Sequence, residues 1–308
     1  LILLASVLYR TAPVQDAFMR TGVAAMLSST PETFDGLQVV VCGSASPLGN
    51  NPDRAQACLA VVTPDHLFLV DVGARSPLRI AQAQLPMNRL TAVMLTHFHS
   101  DHIAALADVN LASWVAGRRA SMRVYGPEGV ETVVAGFNQA YRLDRGYRTA
   151  HHGEALLPPS AGPMKAMTFQ PGLVWQDSDM TVTSFLVDHP PIDPAVGYRF
   201  DYRGRSVVIS GDTNASDNLF TAAADADIVF HDALARDSLD IMQNSMAKAG
   251  RSSLAQIIAD VTDYHADTRT LEEAATAAGI EQLVLYHLVP TPMNSLTETM
   301  FLRGLSDK

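Results

Sequence analysis

From about residue 37 the chain falls into short apolar runs bounded by Gly, Pro and Asp. Runs at 37–42, 57–62 and 66–72 are rich in Val and Leu, the pattern of strands. They predict neighbouring strands of one sheet, and further runs at 92–96, 122–125, 180–187, 198–202, 206–210, 228–230 and 283–286 continue it. Between them, apolar positions at helical spacing predict helices over 103–116, 130–143, 253–263 and 270–278. The last opens on a capping box, Thr270 with Glu273, and ends at Gly279, a residue suited to a left-handed cap. Strands interleaved with helices, with no Pro/Ser-rich linker and no internal repeat, predict one α/β domain whose sheets are covered by helices.

The first residues do not fit that pattern. Leu-Ile-Leu-Leu-Ala-Ser-Val-Leu precedes the mixed residues Tyr9 and Arg10 and reads as the remnant of a signal peptide or membrane anchor, since a span needs about 20 apolar residues. The other reading is an amphipathic helix packed on the domain. The chain is therefore divided into an apolar or helical segment, 1–35, and a main domain, 36–308. The expected location is the cell envelope, membrane-anchored or periplasmic, with the cytoplasm as alternative.

Composition narrows the class. With 308 residues, 47 % hydrophobic and 18 % charged, the chain can bury a full core and is not globally disordered. A net charge of −10 opposes passive coating of nucleic acid. Cys42 and Cys58, the only cysteines, lack the spacing of a thiolate metal site and lie in apolar runs, so they are read as buried thiols; whether they pair is left open.

The chemistry concentrates in Thr96-His97-Phe98-His99-Ser100-Asp101-His102, between a predicted strand and a predicted helix. Residues two apart at an extended strand end point the same way, so His97 and His99 can converge on one ion. Asp101 and His102 at the helix start turn toward a second. Imidazole and carboxylate without thiolate suit zinc, with manganese or iron as alternatives, and leave positions open for water.

This HxHxDH segment resembles that of the metallo-β-lactamase superfamily. The resemblance implies a four-layer αβ/βα sandwich, two Zn(2+) per chain and further ligands, each at the end of a β-like run: His189, a bridging Asp212, and His287. The first metal would take His97, His99, His189 and Asp212, and the second Asp101, His102, Asp212 and His287. Asp71 in Val70-Asp71-Val72-Gly73 resembles a carboxylate that orients a ligand histidine from behind.

Within the superfamily, Gly43-Ser44-Ala45-Ser46-Pro47 with Arg54-Ala55-Gln56-Ala57, and Gly197-Tyr198-Arg199, resemble the ribonuclease Z and arylsulfatase-like branch. Phe230-His231-Asp232-Ala233 and Tyr264-His265-Ala266-Asp267 resemble the segments that carry its proton donor. Asp232 would orient His265, His265 would protonate the leaving oxygen, Asp101 completes the candidate catalytic set, and His231 supports it from outside. The expected reaction is attack of a hydroxide held between two metals on a phosphodiester or sulfate ester. A β-lactamase or other amide or ester hydrolase is one alternative, and an inactive metal-binding envelope scaffold another.

The interval from His102 to His189 is read as having no basic cluster, only Pro158, Pro159, Gly162 and Pro163 in a mostly neutral loop, and His151 and His152 are placed on a loop surface. An acidic chain without a basic arm is expected to act on a small-molecule ester rather than tRNA, with a membrane tether through its N-terminus and an unassigned oligomeric state.

Overall fold

A computed structural model describes residues 10–28, 34–49 and 51–306; the apolar start 1–8, on which the tether reading rests, lies outside them. Two compact units divide at Thr33/Phe34. The first contains the helix Ala12–Ser28. Among the described residues no helix is long and apolar enough to cross a membrane.

In the second unit the strands form two six-stranded sheets rather than the single one expected from their succession. The first contains β1 (Gln38–Gly43), β2 (Cys58–Val62), β3 (Leu67–Val70), β4 (Leu90–Met94), β5 (Met122–Gly126) and β6 (Met164–Thr168), in that spatial order. The second runs β12 (Leu283–Val289), β11 (Ile228–Leu234), β10 (Arg205–Ile209), β9 (Val196–Tyr202), β8 (Met180–Leu186), β7 (Gly172–Gln176). Pairing is antiparallel over β1–β3 and β7–β10 and parallel over β3–β6 and β10–β12.

Period-two alternation explains the layering. Leu59 and Val61 of β2 pack with Phe68, Val182, Phe200, Ile209 and Tyr286 between the sheets. Their neighbours Cys58, Ala60 and Val62 face the opposite way, onto Leu106, Val109, Val130 and Val134 of the covering helices. Val208 and Val229 meet Leu219 and Ala223 on the outer face of the second sheet. The result is helix, sheet, sheet, helix.

Three local expectations change. Cys42 and Cys58 are not free thiols: they form a disulfide with Cα atoms 5.0 Å apart, a separation the antiparallel β1–β2 pairing provides. The helix expected from Thr270 spans Thr268–Ala277, capped by the Asp267 side chain accepting from the Arg269 N–H; an Asx cap outcompetes the Thr270–Glu273 box. The helix expected over 130–143 stops at Ala140, and Arg142–His152 forms another that takes in His151 and His152.

Candidate metal centre

The C-terminal ends of β4, β10 and β11, the end of β8 and a bulge in β12 all open on one edge between the sheets, as ligand sites do at the carboxyl ends of parallel strands. The turn after β4 delivers His97 and His99, and the short helix Ser100–Ile103 delivers Asp101 and His102. Gly73 lets this turn approach the strand beside it, because a Cβ there would collide with the Asp101 carbonyl, while the Val72 N–H donates to the His102 carbonyl at 2.7 Å. Gly211, at φ +67°, brings Asp212 past Thr96 and Val196, where a Cβ would sit 2.9 Å from the Thr96 side chain.

His287 does not close its strand as expected. It is the extra residue of a bulge in β12, between the pairs Asp232–Tyr286 and Ala233–Leu288, with φ 46°. A bulge re-aims one side chain without ending the strand, and here it turns His287 into the site.

The side chains form two groups, each with its ligand atoms within 4.8 Å of one another: His97, His99, His189 and Asp212, then Asp101, His102, Asp212 and His287. All are buried except His99, which is exposed. Asp212 belongs to both, its Oδ2 lying 3.9 Å from His97 Nε2 and 3.2 Å from His102 Nε2. His97 Nε2 and His99 Nδ1 approach to 3.0 Å, and His189 Nε2 and His99 Nδ1 to 3.3 Å.

The other nitrogen of several rings is tied outward, which fixes the tautomer that presents a lone pair inward. His102 Nδ1 donates to Asp71 Oδ2 at 2.8 Å, and the same carboxylate accepts from the Thr96 backbone at 2.9 Å and its hydroxyl at 2.8 Å. His97 Nδ1 donates to Thr96 Oγ1 at 3.0 Å, and His189 Nδ1 to the Tyr264 carbonyl at 3.1 Å. Asp71 thus stands behind His102, as expected.

Burial keeps His97 well below the ordinary imidazole range and His99 and His189 below it. Burial also opposes charge on His102, but Asp212, Asp71 and Asp101 outweigh it and hold that ring well above the range. Against the same desolvation, His102 and His287 hold Asp212 well below the carboxylate range. Asp212 Oδ1 and His287 Nδ1 are buried, lack a hydrogen bond and face each other at 3.4 Å. A buried carboxylate oxygen and imidazole nitrogen that meet only as a loose ion pair, without a hydrogen bond, are poorly satisfied, and the all-N/O donor set fits a divalent cation.

Beside the groups, His265 Nδ1 donates to Asp232 Oδ2 at 2.7 Å. Although Asp232, His265 and His287 also cluster, the short His265–Asp232 contact is that of a hydrogen bond. His231 lies behind Asp232, its Nδ1 2.8 Å from the Asp232 carbonyl and 3.0 Å from Oδ1. Sequence reasoning passed over Thr96 and Tyr264, whose part is set by a hydroxyl and a backbone carbonyl that no ligand spacing reveals.

Comparison with known proteins places this arrangement. The profile described as "Beta-lactamase superfamily domain" matches residues 66–288. A ribonuclease Z of Mycobacterium bovis (BCG Pasteur) is 35 % identical over 257 residues, 82 % of this chain and 86 % of the relative. One of Mycolicibacterium gilvum is 34 % identical over 260 residues, covering 83 % and 85 %. The human short-form tRNase Z structure aligns with a TM-score of 0.58 at 19 % identity, over 81 % of this chain and 92 % of the other. YhfI of Bacillus subtilis, a metallo-β-lactamase fold protein, gives 0.58 at 20 %, over 82 % and 87 %. The chain belongs to the metallo-β-lactamase superfamily, in the branch that holds ribonuclease Z, and is a metal-dependent hydrolase.

These relatives overturn the expectation of a small-molecule ester substrate with tRNA disfavoured. The reason for that expectation also fails structurally. Arg142, Arg145, Arg148, His151 and His152 lie on one helix, spaced so that no linear basic run shows, and between residues 118 and 165 seven Lys and Arg stand against four Asp and Glu.

Proposed function

We propose that this superfamily member is a phosphodiesterase that cleaves RNA, with tRNA as the substrate class, using two zinc ions held by His97, His99, His189 and Asp212 and by Asp101, His102, Asp212 and His287. The observation that carries the reading is His265, held by the buried Asp232 at 2.7 Å and lining the same pocket as Asp101, Asp212 and His287. A metal set alone would serve many hydrolytic reactions; a buried proton donor beside it serves one whose leaving oxygen must be protonated.

Bound by these two groups of side chains, divalent ions would supply Lewis acidity and make water ionisable near neutral pH. The chain's own residues do the rest. Asp212, kept anionic by His102 and His287 against its burial, offers one carboxylate to both groups. Asp71 and Thr96 fix the rings of His102 and His97. Asp232 fixes His265 so that its Nε2 can hold a proton for the departing ribose oxygen. The helix Arg142–His152 offers guanidinium groups for the RNA backbone on an otherwise acidic molecule.

The reading is tested by zinc-dependent cleavage of an end-extended tRNA transcript alongside bis(p-nitrophenyl) phosphate, an aryl sulfate and a chromogenic cephalosporin, with His189→Ala as control. Phosphodiester cleavage abolished by His189→Ala supports it. Preference for the sulfate or the lactam, or inactivity toward both phosphodiesters with zinc bound, overturns it.

A further inference from the structure

We propose that the apolar part of the metal pocket is a nucleobase subsite, in which Tyr264 and Ile257, with Leu48, Val261 and Val289, hold the base of the nucleotide beside the cleaved phosphate. The inference rests on the phosphodiesterase reading and extends it from the bond cut to the group flanking that bond.

The cavity has a volume of about 280 Å³ and a lining of two chemical kinds. Asp101, Asp212, His265 and His287, with His99 and two serines, supply the polar part; Leu48, Ile257, Val261, Tyr264 and Val289 supply the apolar and aromatic part. Holding a phosphate requires only the first. On the helix Ser252–Asp260, Ile258 is 4 % exposed and packs with Leu234, Leu239 and Val261, whereas the adjacent Ile257 is 51 % exposed. Core packing therefore does not account for Ile257, and its apolar surface is available to a flat, weakly hydrated ligand face. Leu254, one turn earlier and 44 % exposed, carries the apolar strip outward.

Tyr264 supplies the aromatic element. Its ring stands edge-on to His189, with centroids 5.0 Å apart and planes at 82°, and 4.9 Å from His265. Its carbonyl, which accepts from His189 Nδ1, anchors the backbone to the metal group. The hydroxyl has no hydrogen-bond partner among the described residues, so a ligand edge can use it. A planar group with polar edges, adjoining a single phosphate, satisfies both parts of the lining, and base stacking on such side chains is sequence-tolerant.

The test is calorimetric binding of adenosine 5′-monophosphate against ribose 5-phosphate to the zinc-loaded protein, repeated with Tyr264→Ala and Ile257→Ser. The nucleotide is expected to bind at least about 5-fold more tightly than the sugar phosphate, as one stacked base typically provides, and each variant is expected to erase most of that ratio. Ile257→Ser alters an exposed side chain and keeps the comparison valid should Tyr264→Ala not fold. Equal affinity for the two ligands in the parent protein overturns the subsite, as does a variant that weakens both ligands alike. A nucleotide preference removed by Ile257→Ser in a protein that cleaves neither RNA nor bis(p-nitrophenyl) phosphate upholds the subsite and overturns the phosphodiesterase reading instead.

Discussion

His265 donates from Nδ1 to Oδ2 of Asp232 across 2.7 Å, with His265 6 % exposed and Asp232 fully buried. The short Asp side chain therefore reaches its partner without a longer carboxylate. Asp232→Asn removes the negative charge and turns one of the two oxygens, which face His265 and His231, into an NH2 donor, so the tautomer of His265 is no longer set by an anionic acceptor. It is expected to lower kcat for RNA on the order of 10²- to 10⁴-fold, the usual worth of a positioned acid, with bound zinc unchanged. Because p-nitrophenolate departs without a proton, the loss on bis(p-nitrophenyl) phosphate should be much smaller. Equal losses on the two substrates would assign the pair a structural role.

Asp71 accepts three hydrogen bonds, from Thr96 N, Thr96 Oγ1 and His102 Nδ1. Asp71→Asn keeps the shape but replaces an acceptor with a group that must also donate. Loss of such a supporting contact typically weakens metal affinity about 10- to 100-fold, and the second group, which contains His102, should bear it. Zinc titration against a competing chelator checks this: one weakened site of two is expected, and two unaffected sites would refute the orienting role.

How far this was legible beforehand follows from the same residues. His97, His99, Asp101 and His102 are six positions end to end, so local geometry alone brings them together. His189, Asp212 and His287 are dispersed and came from resemblance; their convergence depends on sheet order that periodicity does not encode. The bulge that aims His287 left no trace in the apolar run around it, since a bulge is defined by the partner strand. Strands β6 and β7 were missed because their alternation is half-exposed and weak. The basic helix was missed because three-residue spacing gathers Arg142, Arg145 and Arg148 only once the chain is coiled.

The two ligand groups should differ in proton release. At neutral pH burial keeps His97, His99 and His189 uncharged, so the first group can accept a cation without displacing histidine protons. His102 and His287 are raised by Asp212, Asp71 and Asp101 against their burial, so a cation entering the second group must expel protons. Affinity of the second group should then fall more steeply than that of the first as pH drops from about 8 to about 6. For the metal-free protein the signs are opposite. The raised pair contributes stability below the ordinary imidazole pKa that is lost as pH climbs through their folded values, while the depressed trio costs stability as pH falls below the ordinary value. Calorimetry in buffers of different ionisation enthalpy counts the protons; equal release at both sites would contradict the assignment.

The Cys42–Cys58 disulfide closes a loop with a sequence separation of 16, worth roughly 3 kcal/mol in the chain-entropy account. Reduction, or Cys42→Ser with Cys58→Ser, should lower Tm by roughly 5–10 °C for a domain of this size and leave zinc content unchanged, since neither sulfur belongs to a ligand group. A thermal scan with and without reductant decides it; an unchanged Tm would show that the bond adds nothing beyond the β1–β2 pairing.

If the helix Arg142–His152 meets the RNA backbone, its cations matter for long substrates and not for small ones. Arg145 is partly committed, its Nη2 donating to the Asn138 carbonyl at 2.8 Å, and Arg148 shares its charge with Asp144 at 2.8 Å. Arg142→Ala with Arg148→Ala is therefore the informative double variant, because it leaves the Arg145 anchor in place. Each lost phosphate contact should reduce the slope of log affinity against log salt by about 0.7–0.9, so the double variant should bind a tRNA transcript more weakly and with a slope shallower by up to about 1.8. Bis(p-nitrophenyl) phosphate carries one phosphate and occupies only the metal pocket, so its turnover should be unaffected. An unchanged RNA slope would move the docking surface elsewhere on the molecule; a parallel loss on the small diester would mean that the helix acts through the fold rather than by contact with RNA.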